Sequence, residues 1–298
     1  MPFPGFSHIK LFIVFLKNNT SPIAPIGNHR RREKGVLVYP VYSRRSGGLS
    51  VGINLFPGQK QCPFNCPYCE VFPFSANAAF SLEQMEADLR AAIAAALKQK
   101  VPVKDICFSG NGEPSLSPDF PAALKQADSI RRAMVSSAEL VLITNGAGLL
   151  QPEIFSLLKE AAALNIWLKL DAGTSDWYQK INRAAIPFEQ LIAKIKEFAA
   201  SAPVTIQTML CAIDGKGPPD EETRAWETLM LELAAIAAAV GGIRKVQIYG
   251  KARPAPEDPK TTALPLEYLE ERAASLRRAF AAANTREKIP VPPVEVFP

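Results

Sequence analysis

The chain alternates between two kinds of segment. Short runs rich in β-branched and apolar residues are separated by alanine-rich stretches of helical periodicity, and the pair recurs about six times. The strand candidates are 50–55, 105–109, 140–144, 166–170, 204–210 and 245–249. Helix candidates lie near 82–98, 122–133, 153–163, 188–200 and 222–240, and Ser81 with Gln84 reads as a capping box that opens the first. Six βα units in succession predict an α/β fold, a partial (βα)6 TIM-like barrel of parallel strands, with function at the strands' C-terminal ends. An open doubly wound sheet is the alternative. No strand candidate runs directly into a G-x-G-x-x-G turn opening a helix, so a dinucleotide site has no support. A chain of 298 residues, 48% of them hydrophobic, can bury a core of this size.

The barrel is expected over 36–250, preceded by a loosely attached extension (1–35) and followed by a proline-rich connector and helix (251–298). The apolar block 11–16 is too short to span a bilayer, and no small-residue cleavage site follows it; no membrane association is expected. The basic run His29-Arg30-Arg31-Arg32 is either a solvated tail or a nucleic-acid arm. A net charge of +5 tolerates a polyanionic partner without defining a basic face. Both histidines, His8 and His29, lie in the extension. The expected barrel therefore has no histidine for activating a nucleophile or binding zinc, which favours an enzyme whose cofactor carries the chemistry.

Three of the five cysteines, Cys62, Cys66 and Cys69, form a Cx3Cx2C array just after the first strand candidate. Pro63 and Pro67 disfavour a helix, so the segment is a loop able to wrap a compact object. Such spacing suits a metal or cluster in a reducing compartment better than a disulfide framework, and a cytoplasmic location is expected. Three thiolates leave one iron of a [4Fe–4S] cube open, where the amino and carboxylate groups of a methionine moiety can chelate. A zinc knuckle is the alternative and needs a fourth ligand. The spare thiols, Cys107 and Cys211, fall in strand candidates, where cysteine is usually a small buried hydrophobe.

Alternation along 166–171 puts Ile166, Leu168 and Leu170 on one face, and Trp167, Lys169 and Asp171 on the other. An inward lysine and aspartate need partners: each other, a ligand or water. The same parity groups Gln207 with Met209 and Gln247 with Tyr249, while Thr144-Asn145-Gly146 ends the third strand candidate.

The cysteine array with an aromatic residue, Tyr68, before its last cysteine resembles the CxxxCxφC motif of the radical S-adenosylmethionine (SAM) superfamily. Ser109-Gly110-Asn111-Gly112-Glu113-Pro114 is similar to that family's GGE element, with Asn111 in place of the middle glycine. SGNGEP, LITNG, KLD and VQIYGKARP together resemble the wybutosine-synthesis-related branch, without its flavodoxin-like domain or an additional upstream cysteine group. The resemblance implies a [4Fe–4S] cluster on Cys62, Cys66 and Cys69, and SAM as second cofactor. Tyr68, Gly110, Gly112, Glu113, Asn145, Lys169, Gln207 and Tyr249 are expected around SAM, with Lys169 and Asp171 as catalytic candidates. It also implies reductive cleavage of SAM to a 5′-deoxyadenosyl radical, an electron donor such as flavodoxin or ferredoxin, and an RNA base, peptide or protein as substrate. A zinc- or cluster-binding protein that recognises RNA without catalysis is the competing class.

Overall fold

The computed structural model describes residues 35–298. Expectations about residues 1–34, including both histidines and the basic run, lie outside the described residues. Two compact units are present: 35–61 with Pro73–Leu142, and Cys62–Phe72 with Ile143–Pro298.

In the first unit, β1 (Val38–Ser43) and β2 (Gly48–Ile53) form an antiparallel hairpin. Helix α1 (Leu82–Lys98) follows, then β3 (Val103–Phe108), α2 (Phe120–Met134) and the start of β4 (Glu139–Thr144). Strand β3 lies parallel between β2 and β4. Every residue of β2 is buried. Its Gly52 faces Tyr39 across the hairpin, and a Cβ there would meet the Tyr39 ring at 2.3 Å. Glycine in this strand is the space that the aromatic ring fills. The capping box forms by half: Ser81 Oγ accepts the Gln84 N–H at 3.2 Å, but the Gln84 side chain donates to Asp88 instead of reaching back.

The second unit continues with α3 (Pro152–Glu160), β5 (Leu164–Lys169), α4 (Ser175–Ile181), α5 (Phe188–Ala199), β6 (Thr205–Ile213) and α6 (Asp220–Ala237). After these come β7 (Lys245–Gly250), β8 (Thr261–Ala263), α7 (Leu266–Glu287) and β9 (Val294–Phe297). Strands β5, β6, β7 and β9 are mutually parallel neighbours, and β8 pairs antiparallel with β6. In each unit, sheet order follows chain order with no reversal, as in a barrel and unlike a doubly wound sheet. The fold is the expected partial (βα)6 arrangement, with strands β2 to β7 as its parallel set.

Two antiparallel strands, β1 and β8, stand beside the expected parallel set. Helix α4 and strands β1, β8 and β9 are additions that alternation did not reveal. Strand β5 ends at Lys169, so Asp171 lies just past the strand instead of on it. Among the described residues no helix is long and apolar enough to cross a membrane.

Candidate active site

The cysteine loop sits in the second unit, tied by its backbone to the segment that follows α4. Asn65 N–H donates to the Asn182 carbonyl at 3.0 Å, and Ala185 N–H donates to the Pro63 carbonyl at 3.3 Å. Cys69 N–H closes a turn on the Cys66 carbonyl at 3.0 Å, and Thr261 Oγ1 donates to the Pro67 carbonyl. The Phe64 ring meets Tyr178 of α4 edge-on at 5.7 Å. Arg253 reaches Glu70 at 3.0 Å, joining the segment after β7 to the end of the loop.

All three loop cysteines are half-buried, and none forms a disulfide. Among the described residues no group of three or more His, Cys, Asp and Glu side chains is a set that could hold a metal ion. Two of the loop cysteines receive amide donors: Asn145 Nδ2 lies 3.4 Å from Cys62 Sγ, and Asn182 Nδ2 lies 3.5 Å from Cys66 Sγ. Cysteines outside any disulfide, with N–H donors aimed at sulfur, match the chemistry of an iron–sulfur site, in which such donors stabilise negative charge on sulfur. Cys107 and Cys211 lie buried in β3 and β6.

Asp171 is the hub of the polar cluster beside this loop. Its carboxylate accepts from Asn182 Nδ2 at 2.8 Å, from Met209 N–H at 2.8 Å and from the Tyr68 hydroxyl, and it pairs with Lys169 Nζ at 3.3 Å. Lys169 Nζ also donates to the Tyr249 hydroxyl and stands 5.1 and 5.0 Å from the Tyr68 and Tyr249 ring centroids, a cation–π geometry. Burial disfavours the lysine's charge, but the Asp171 carboxylate and the Tyr249 hydroxyl outweigh it, holding the ammonium above its ordinary range. Burial and the Asp171 charge push the Tyr68 phenol well up, and the same two causes raise the Cys66 thiol.

Lys169, Asp171 and Tyr249 thus meet in one cluster, joined there by Tyr68 of the cysteine loop. Leu168 points the other way: a Cβ on Gly146 would meet the side chains of Leu168, Leu191 and Ile195, which places Leu168 on the layer shared with α5. Gln207 lies in register with Lys169 and Gln247, and its amide donates to Gln247 Oε1 at 2.7 Å. Gln247 donates in turn to Glu295 of β9, so Gln207 belongs to a buried amide ladder across the strands.

Gly110, Gly112 and Glu113 belong to the first unit. Gly110 has φ +136°, and a Cβ on Gly112 would lie 1.9 Å from the Gln61 carbonyl oxygen, so this turn requires its glycines. Glu113 is buried, and its carboxylate accepts from Ser115 N–H at 3.1 Å and Ser115 Oγ at 2.5 Å. Asn111, which departs from the motif, donates its amide to the Phe56 carbonyl. Asn182 was missed by sequence reasoning. It follows a helix too short to show periodicity, and only its place in the Ile181-Asn182-Arg183 turn could have signalled it.

Polar side chains at the ends of β5 and β7, beside a loop of three cysteines, form the framework of a cofactor-dependent α/β enzyme. The Radical SAM superfamily pattern matches residues 56–226, more than half of the chain, and the chain belongs to that superfamily. The family's cofactors are a [4Fe–4S] cluster and SAM. Among curated relatives, the UPF0026 protein of Helicobacter pylori (strain 26695) is 30% identical over 164 residues, 53% of this chain and 48% of the relative. The match thus spans about half of that relative's length. A radical SAM methyltransferase from Sphaerobacter thermophilus has a similar structure, with TM-score 0.59 and 18% identity over 83% of this chain and 66% of the other. TYW1 with a lysine-pyruvate adduct bound gives TM-score 0.52 and 15% identity over 77% and 73%. At these identities the similarity is one of fold.

Proposed function

We propose that this radical SAM enzyme binds its cluster through Cys62, Cys66 and Cys69 and uses residues 36–250 as its catalytic unit. When bound, the two cofactors supply the chemistry, reductive cleavage of SAM to a 5′-deoxyadenosyl radical that takes hydrogen from the substrate. The observation that carries this reading is the continuous set of contacts Cys66–Asn182–Asp171–Lys169–Tyr249, which joins a loop thiol to charged groups at the strand ends.

Within it, Lys169 supplies a fixed positive charge for the carboxylate of SAM, and Asp171 keeps that charge in place. Tyr68 offers its ring to the adenine, and Asn145 orients Cys62. Gly110 and Gly112 give a turn whose backbone groups receive the amino group of SAM, while Glu113 and Ser115 hold the turn's shape. The burial of Asp171 and Tyr68 keeps water from the reacting groups. A flavodoxin- or ferredoxin-type donor provides the electron. The substrate is drawn from the RNA bases, peptides or proteins that the resemblance implies, and the enzyme acts in the cytoplasm.

Anaerobically prepared protein tests the proposal. About four irons and four sulfides per chain are expected, with 5′-deoxyadenosine released from SAM on reduction. Zinc in place of iron, or intact SAM after reduction of the iron-loaded protein, would overturn it.

A further inference from the structure

Asn182 makes more contacts with this site than its place at the end of a two-turn helix suggests. It is 3% exposed, and it touches the cysteine loop through both backbone and side chain. Its carbonyl accepts the Asn65 N–H at 3.0 Å and lies 3.8 Å from Cys66 Sγ. Its Nδ2 lies 3.5 Å from Cys66 Sγ and 2.8 Å from Asp171 Oδ2.

The orientation of the carboxamide follows from its neighbours. Turned over, it would set Oδ1 against the Asp171 carboxylate, acceptor against acceptor, in a buried place. Asp171 therefore fixes the NH2 group toward itself, which leaves the second hydrogen for the sulfur of Cys66 and the Tyr68 hydroxyl, each 3.5 Å from Nδ2. Asp171 is anchored in turn by Met209 N–H and Lys169.

We propose that Asn182 is a positioning residue for the cluster's redox chemistry: its amide, oriented by Asp171, donates to the Cys66 sulfur and raises the reduction potential of the cluster. The inference rests on the proposed ligand role of Cys66. An N–H donor stabilises the reduced cluster, which carries one more negative charge, more than the oxidised one. Removing it shifts the reduction equilibrium toward the oxidised form.

The test uses full-length, anaerobically reconstituted Asn182→Ala and Asn182→Ser, with iron content and an EPR-monitored redox titration measured beside wild type. Full iron loading is expected, with a reduction equilibrium about tenfold less favourable in Asn182→Ala, equal to about 59 mV for a one-electron couple. The serine variant, whose hydroxyl is too short to bridge Asp171 and Cys66, should shift in the same direction. Full loading with the wild-type potential overturns the inference while leaving the proposed function intact. Loss of iron from both variants also overturns it, because Asn182 would then serve the loop's fold. Wild type that binds no iron removes the proposed function, and the inference falls with it.

Discussion

Lys169 and Asp171, two residues apart where β5 ends, pair at 3.3 Å with the lysine side chain 17% exposed and the aspartate side chain fully buried. The pair is asymmetric. Asp171 keeps three further donors if the lysine is lost, whereas Lys169 depends on Asp171 and the Tyr249 hydroxyl. Removing one member of a buried pair typically costs about 3 kcal/mol. Lys169→Met is expected to lower stability by about this amount, read in urea melts, and to weaken SAM binding, read by calorimetric titration of the cluster-loaded protein. Wild-type SAM affinity in the variant would confine Lys169 to the ion pair.

The cysteines should divide by location. Alanine at Cys62, Cys66 or Cys69 should abolish iron binding, whereas Cys107→Ala and Cys211→Ala should retain it and lose about 1 kcal/mol for a small buried void. Burial, and the Asp171 charge after it, push the Cys211 thiol up to about 12. Folded apoprotein treated with iodoacetamide at about pH 8 should therefore stay unmodified at Cys211. Iron lost from Cys211→Ala would reassign the ligand set.

The parallel core was legible because each strand carries enough β-branched residues, and each connection enough helical periodicity, to be seen alone. Parity was sufficient to bring Lys169 and Asp171 together with Tyr249, which lies 80 residues beyond Lys169. Strand β9 was not legible: its four residues follow three prolines, and their extended conformation is completed by pairing with β7. Helix α4 has only seven residues, too few to show periodicity; Thr174 Oγ1 caps its start by accepting the Trp177 N–H, and Glu222 of α6 holds Thr174 in turn, a long-range contact that no local pattern announces. Asn182 was hidden for the same reason. Its role depends on the cysteine loop more than a hundred residues earlier.

Tyr178, one turn before Asn182, is 2% exposed, and its hydroxyl has no hydrogen-bond partner among the described residues. A buried hydroxyl without a partner destabilises the fold by about 1 kcal/mol or more. Tyr178→Phe keeps the ring contacts with Phe64 and Phe188 and removes that cost. Its apoprotein should melt at or above the wild-type temperature. A clear loss of stability would show that the hydroxyl is satisfied in solution.

Gly112→Ala should behave oppositely. The new Cβ would press on the backbone carbonyl of Gln61, which also accepts the Glu113 N–H at 2.8 Å, so neither side can yield without losing that bond. A loss of about 2 kcal/mol is expected in urea melts, and a variant as stable as wild type would show that the two segments lie further apart.

Glu222, which holds the capping residue Thr174, gives a pH-dependent test. Its carboxylate accepts from Gly173 N–H at 2.6 Å, Thr174 N–H at 2.9 Å and Thr174 Oγ1 at 2.6 Å. Burial raises its pKa, and these three hydrogen bonds oppose the rise without cancelling it. The folded protein therefore binds this proton more tightly than the unfolded chain, whose glutamate titrates near about 4.3. Between that value and the raised folded one, the native state holds more protons, so the stability contributed here falls as pH rises and is level above both. Glu222→Gln has no such titration. The stability of wild type relative to the variant should thus be greater at about pH 4 than at about pH 8, measured by urea melts in matched buffers. If the difference instead grew with pH, the folded carboxyl would have to be lowered, with the three donors outweighing burial.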